Sequence, residues 1–83
     1  MEKRFIRQID IATLAPRNMD EVKIAADQLK SGSPLIINTT NLNQEEKLWA
    51  VHFLNGAIYA LNGTVHELSL KVFLFAPPNI EVN

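Results

Sequence analysis

Apolar and polar residues alternate along residues 5–13, with Phe5, Ile9 and Ile11 on one side of the stretch. A period of two is typical of a half-buried β-strand. The run Leu35-Ile36-Ile37 is different, because it is uninterrupted and bounded by turn residues. Such a run predicts a central strand that is covered on both faces of its sheet.

Between these strands the apolar residues follow a helical period. Asn18 can cap the helix, and Asp20 and Glu21 complement the positive end of the helix dipole in its first turn. The segment Ser31-Gly32-Ser33-Pro34 predicts the end of the helix. The predicted buried face consists of Met19, Val22, Ala26 and Leu29.

The longest predicted element is a second helix, which begins near Asn43 and ends at Asn62-Gly63. We expect Gly63 to supply a left-handed C-terminal cap. Two strands follow, over residues 64–68 and 72–76, joined by a turn at Ser69-Leu70. Pro77-Pro78 ends the second of them, and residues 80–82 could add an edge strand.

The predicted order is therefore β-α-β-α-β-β, with an optional last strand. This order is typical of an α/β (α+β) two-layer sandwich, in which two helices cover a small mixed sheet of four to five strands. With 83 residues, the chain is expected to form one domain over residues 1–83. So small a domain buries only about 60% of the surface of its extended chain, and its high apolar content then favours a dimer.

A helical wheel of the second helix shows two apolar stripes where a helix lying on a sheet needs one. The core stripe contains Val51, Leu54, Ile58 and Leu61, with Ala50 and Ala57 beside them, whereas the other stripe contains Trp49, Phe53 and Ala60, with Gly56 alongside. A glycine inside a helix costs about 1 kcal/mol relative to alanine, so Gly56 suggests the close approach of another backbone. The second stripe is therefore predicted to meet a partner. The alternative is that loops of the same chain, residues 15–17 or 77–78, cover Trp49 and Phe53.

Composition and charge exclude several classes of protein. Hydrophobic residues make up 47% of the chain and charged residues 20%, which excludes a disordered tail. The net charge of -1 argues against a large nucleic-acid-binding surface. The chain has no cysteine and no stretch long enough to be a transmembrane helix, so a reducing, cytoplasmic location is expected.

No group of residues predicts catalysis or a cofactor. His52 and His66 are isolated and do not have the spacing of metal ligands. The acidic pairs at residues 20–21 and 45–46 are explained by the helix dipole. We therefore expect neither an enzyme nor a metal or other cofactor.

Two segments resemble a known family in order and spacing. Residues 53–63 (FLNGAIYALNG) and 72–82 (VFLFAPPNIEV) closely resemble the core of SepF cell-division proteins, and residues 15–21 (APRNMDE) and the strand ending at Asn38 fit the same pattern. The resemblance covers nearly the whole chain. Its combination of helix, cap, hairpin and Pro-Pro-Asn tail is more specific than any short glycine or histidine motif.

The resemblance implies a dimeric adaptor that binds the C-terminal tail of the tubulin-like protein FtsZ at the division site. It places tail binding on Lys47 and Phe53, and subunit association or polymerisation on Gly56, next to Trp49 and Ala60. The N-terminal amphipathic helix and linker that anchor the family to the inner face of the membrane are expected to be missing from this sequence. The alternative is an Alba-type nucleic-acid-binding domain, which has the same element order but carries a basic face.

Overall fold

The computed structural model describes residues 11–78 and contains four strands and two helices in the predicted order. Two sequence predictions, the part of the first strand over residues 5–10 and the strand over 80–82, lie outside the described residues. The elements are β1 (Ala12–Leu14), α1 (Met19–Lys30), β2 (Leu35–Asn38), α2 (Gln44–Ala60), β3 (Thr64–Ser69) and β4 (Val72–Ala76).

The strands form one mixed sheet in the order β1-β2-β4-β3. β1 runs parallel to β2, while β4 pairs antiparallel with β2 on one side and β3 on the other. The prediction that β2 is central is confirmed. In the described sheet, β1 and β3 are the edge strands.

Both helices pack against one face of this sheet. Leu35 pairs with Phe75 and Ile37 with Phe73, so these four side chains point to the same face, where all are buried. They form the core with Val22, Ala25, Ala26 and Leu29 of α1, with Leu42, and with Ala50, Leu54 and Ile58 of α2. The expectation that β2 is covered on both faces is wrong in the described structure. Ile36 points to the opposite face and is only half-buried, because no described helix lies there.

Side chains at the helix starts satisfy backbone groups as predicted. Asn18 Oδ1 accepts a hydrogen bond from the Glu21 backbone N–H at 3.0 Å. At α2 the bond is reciprocal, because Asn43 Oδ1 accepts from the Glu46 N–H and Glu46 Oε1 accepts from the Asn43 N–H. This capping box fixes where α2 begins.

The end of α2 differs from the prediction. The left-handed residue is Asn62, with φ 64°, whereas Gly63 is not left-handed. The Gly63 N–H donates to the Ile58 carbonyl and the Asn62 N–H to the Tyr59 carbonyl, which is a Schellman motif. Gly63 is needed for space instead, since a Cβ there would lie 2.4 Å from the Ala76 carbonyl oxygen.

The hairpin that follows also differs slightly from the prediction. Its turn falls one residue later than expected, at Leu70-Lys71, because β3 continues to Ser69, which pairs with Val72. A shift in register between Glu67 and Ser69 leaves Leu68 as the extra residue of a β-bulge.

Candidate functional site

Several exposed large hydrophobic side chains of the described residues lie together on the side of α2 that faces away from the sheet. We call it the outer face of α2, and it consists of Leu48, Trp49, His52, Phe53, Gly56, Tyr59 and Ala60, all of which are exposed. Trp49 is 53% exposed and Tyr59 84%. The prediction of a second, unpartnered stripe is confirmed for the described residues, and the alternative that loops 15–17 or 77–78 cover it is wrong. Leu48 and Tyr59 also belong to this face, although the wheel did not single them out.

Trp49 and Phe53, one helical turn apart, contact each other on this face. Their rings are stacked, with centroids 5.7 Å apart and planes 16° from parallel. Stacked rings restrict each other's rotamers, so their surface is partly ordered before any partner arrives. Trp49 also borders a shallow cavity shared with Met19, Glu45 and Glu46.

Gly56 has no structural requirement within the protomer. A Cβ added there would meet no heavy atom within 4 Å, and its φ is not positive. The cost of a glycine within a helix is therefore not offset by the described fold. Ala60, four residues later on the same face, is also exposed. Because both residues are small, they form a shallow depression in the helix surface beside Trp49 and Phe53.

The structure does not bring Lys47 and Phe53 together on one face. They are six residues apart, which separates them by roughly 120° around the helix. Lys47 lies on the sheet side, where its Nζ donates a hydrogen bond of 2.7 Å to the backbone carbonyl of Leu70. Lys47 therefore ties the first turn of α2 to the β3–β4 turn, a contact that the sequence did not reveal.

One carboxyl group has a displaced pKa. The pKa of Glu21 is lowered, first because its carboxylate accepts a hydrogen bond from the Arg17 backbone N–H and then because of the Arg17 guanidinium. The carboxylate atoms lie 2.8 Å and 3.1 Å from these donors. This arrangement extends the cap at the start of α1 and is not on the outer face of α2.

Neither histidine belongs to a metal-binding arrangement in the described structure. His52 is exposed on α2, and His66 Nε2 lies 3.1 Å from the Thr64 hydroxyl. Residues 11–78 contain no group of three or more histidine, aspartate or glutamate side chains that could hold a metal ion. None of the helices described within that range is long and apolar enough to cross a membrane.

The described fold is a two-layer α/β sandwich with an exposed apolar helix face, a surface that is typical of protein-interaction domains. The sequence model of the family described as "Cell division protein SepF" matches residues 11–82. The chain therefore belongs to the SepF family. One relative, the cell division protein SepF of Symbiobacterium thermophilum, is 39% identical over 75 residues, which cover 90% of this chain and 37% of that protein.

Solved structures share the fold. The SepF-like protein from Pyrococcus furiosus matches with a TM-score of 0.73 and 20% identity, covering 96% of this chain and 100% of that one. SepF from Methanobrevibacter smithii, solved in complex with FtsZ-CTD, matches with a TM-score of 0.69 and 18% identity, covering 88% of this chain and 95% of that one. The chain spans about a third to a half of the length of the curated relatives it matches.

Proposed function

We propose that this domain is a cell-division adaptor that binds the C-terminal tail of FtsZ. Membership of the SepF family supports the cellular role, and the complex of the Methanobrevibacter smithii protein with FtsZ-CTD supports the partner. The observation on this chain that carries the proposal is the exposed, partly ordered aromatic pair Trp49 and Phe53. Exposed apolar surfaces of this kind mark sites of protein association.

Within this face, we assign tail contact to Phe53 and homodimer or polymer contact to Gly56, Trp49 and Ala60. Gly56 and Ala60 leave room for a second helix to approach closely, while the rings of Trp49 and Phe53 supply apolar area. Aromatic side chains in such positions commonly dominate the energy of an interface. A tail groove that borders the subunit contact would use both sets of residues.

Lys47 retains a place in this proposal although it lies on another side of α2. An ammonium group has three donors, and the described contact to the Leu70 carbonyl uses one of them. Lys47 is half-buried, so its charge remains accessible to a carboxylate that reaches the β3–β4 turn. We propose that it assists tail binding mainly by charge.

We also propose that the adaptor works in the cytoplasm, at the division site on the inner face of the membrane. In this proposal residues 1–83 form one SepF-like core domain, and a segment outside them makes the membrane contact. Family membership supports the assignment of the membrane contact and the protein contacts to different segments. The described domain supplies the protein contacts rather than a catalytic step.

The test is a titration of the protein against a fluorescent peptide that copies the FtsZ C-terminal tail of the same organism. We expect saturable binding in the micromolar range and none to a scrambled peptide of the same composition. Absence of saturable binding, with the protein folded by circular dichroism, would contradict the proposed partner. A gel shift with duplex DNA at low salt tests the Alba-like alternative on the same preparation.

A further inference from the structure

A cavity of about 320 Å³ lies where β1 ends and α1 begins, on the flank of α1 that faces away from α2. The opposite flank of α1 carries Met19, which borders α2 beside Trp49. Glu21 and Ile24 lie roughly 140–160° around the helix from Met19. The cavity is lined by Leu14, Ala15, Pro16, Arg17, Glu21 and Ile24. Because β1 and β3 are opposite edges of the described sheet, this cavity is separate from the outer face of α2 and from the β3–β4 turn.

The topology extends the site along the whole of β1. β1 and β2 are parallel and are joined by α1, so α1 runs back past β1 in the opposite direction. Gln28 follows Ile24 by one helical turn and lies on the same flank of α1. Arg17 therefore lies at the end of β1 and Gln28 near its start, roughly 16 Å apart along the helix axis.

The backbone beside this flank is available for pairing. β1 is hydrogen-bonded to β2 on one side, and no described strand pairs with its other side. Ala12 and Thr13 are exposed, and Leu14 is half-buried. An unpaired strand edge next to a side-chain cavity is the arrangement in which extended peptides add a strand and place alternate side chains in pockets.

The lining of the cavity combines an apolar wall with a cation. Leu14, Pro16 and Ile24 form the wall, and Ile24 is 57% exposed. Glu21 accepts from the backbone N–H of Arg17 and from one nitrogen of its guanidinium. A guanidinium has five N–H donors, so the ion pair with Glu21 leaves donors for a second carboxylate. The wall and the cation together suit a ligand that carries an apolar side chain and a carboxylate.

Gln28 supplies an acceptor at the other end of the site. Its Oε1 is buried without a hydrogen-bond partner in the described structure. Buried polar atoms rarely lack a partner, and leaving one unpaired costs free energy. The terminal torsion of glutamine is soft, so a rotation turns this acceptor toward a strand laid beside β1. A backbone N–H of such a strand would satisfy it.

We propose that the free edge of β1 binds an extended, acidic peptide segment of a partner protein, antiparallel to β1. An apolar side chain of the peptide packs against Leu14, Pro16 and Ile24. A carboxylate two residues before it, on the same face of the added strand, accepts from Arg17, and a later backbone N–H donates to Gln28 Oε1. Antiparallel pairing is the more stable kind and places the acidic end of the peptide beside Arg17. This site goes beyond the proposed binding of the FtsZ tail and does not depend on it.

The test uses three acetylated and amidated peptides. The parent peptide is Thr-Glu-Thr-Leu-Thr-Val-Thr, the second has glutamine in place of glutamate, and the third has alanine in place of leucine. Each is titrated into the ¹⁵N-labelled protein, and amide shifts are followed by NMR. We expect the parent peptide to bind most tightly and to shift the amides of β1 and the side-chain amide of Gln28. The glutamine and alanine peptides should each bind more weakly.

Two variants assign these losses to their contacts. Arg17→Gln should weaken the parent peptide by about threefold or more and leave the glutamine peptide unchanged, because an exposed ion pair contributes modestly. Ile24→Ala should weaken the parent peptide by about threefold or more and leave the alanine peptide unchanged, because the wall loses apolar area. Lys23→Gln removes a cation outside the cavity, and Leu68→Ala truncates a side chain that is 55% exposed on the opposite edge of the sheet. Neither control should change binding.

The proposal is overturned if the shifts map away from β1, if no peptide binds at millimolar concentration, or if Arg17→Gln and Ile24→Ala bind the parent peptide like their controls. The FtsZ tail assay reads the outer face of α2, so its outcome is independent of this one.

Discussion

Trp49 and Phe53 stack on the outer face of α2, with ring centroids 5.7 Å apart, and both remain exposed in the protomer. The pair lies beside Gly56, which has open space where a Cβ would be. Burying such a pair against a partner removes apolar area from water at about 25 cal/mol per Å².

We expect the protein to be a dimer in solution. The motivation is the outer face of α2 on so small a domain, because isologous contacts are the commonest way to bury a surface of this kind. Sedimentation equilibrium at micromolar protein should give twice the protomer mass, and the fluorescence of Trp49 should shift to shorter wavelength on association. A monomer at every concentration would contradict the prediction.

Gly56→Lys should weaken self-association at least tenfold without unfolding the protomer. A Cβ at Gly56 meets no described atom, and lysine is a good helix former, so the protomer tolerates the change. In the dimer the long side chain would hold the helices apart and bury an unpaired charge. Sedimentation and circular dichroism together measure both effects.

Gly63→Ala is the matched glycine control. Its Cβ would lie 2.4 Å from the Ala76 carbonyl, so it should destabilise the protomer by about 1–3 kcal/mol, as overpacking does. If Gly56→Lys unfolds and Gly63→Ala does not, the roles assigned to the two glycines are reversed. If Gly56→Lys remains as dimeric as the parent, the subunits associate through another surface.

Lys47→Met should lower the free energy of unfolding by about 1 kcal/mol, because the Leu70 carbonyl loses its described charged donor. Methionine keeps the aliphatic stem, so the loss reports the hydrogen bond. Urea unfolding measures the change, and hydrogen exchange should accelerate at the β3–β4 turn. Lys23→Met, at an exposed position on α1, is the control. Equal effects of the two substitutions would show that the contact contributes nothing.

We expect the contribution of Glu21 to the free energy of unfolding to be lost at acidic pH. Its pKa is lowered in the fold by the Arg17 backbone N–H and guanidinium, so the carboxylate stabilises the fold above the ordinary glutamate pKa. That contribution is lost as pH falls through the lower folded value. Glu21→Gln should therefore be less stable than the parent at neutral pH, and the difference should shrink below about pH 4. Urea midpoints against pH measure it, and a constant difference would contradict it.

Local patterns predicted most of the fold because their causes are local. Asn18 and Asn43 cap helices through hydrogen bonds to residues three positions away, and the two stripes of α2 follow from helical period alone. The prediction that Gly63 is the left-handed residue is wrong, because asparagine also tolerates this conformation and Asn62 adopts it. The glycine is required instead by the close approach of Ala76 in β4, which the local sequence pattern does not reveal.

The site is only partly predictable from the sequence, because some of its contacts join residues that are distant along the chain. Phe53 and Gly56 could be placed on an exposed face, since one helix determines that face. The contact of Lys47 with Leu70 depends on how the β3–β4 hairpin packs against α2. A helical wheel places Lys47 toward the sheet but contains no information about the carbonyl it meets. The family resemblance predicts a role for Lys47 in tail binding but says nothing about its contact with the Leu70 carbonyl.

The most direct test of the account compares Phe53→Ala with Ile24→Ala in binding to the labelled FtsZ tail peptide. Ile24 is 57% exposed on α1, so its truncation removes apolar area away from α2 and from the β3–β4 turn. We expect Phe53→Ala to cost about 2 kcal/mol or more, roughly a thirtyfold loss of affinity, because a few buried apolar anchors dominate peptide binding. Ile24→Ala should bind like the parent. Unchanged affinity in Phe53→Ala, with fold and dimer intact, would contradict the assignment of the tail site to this face.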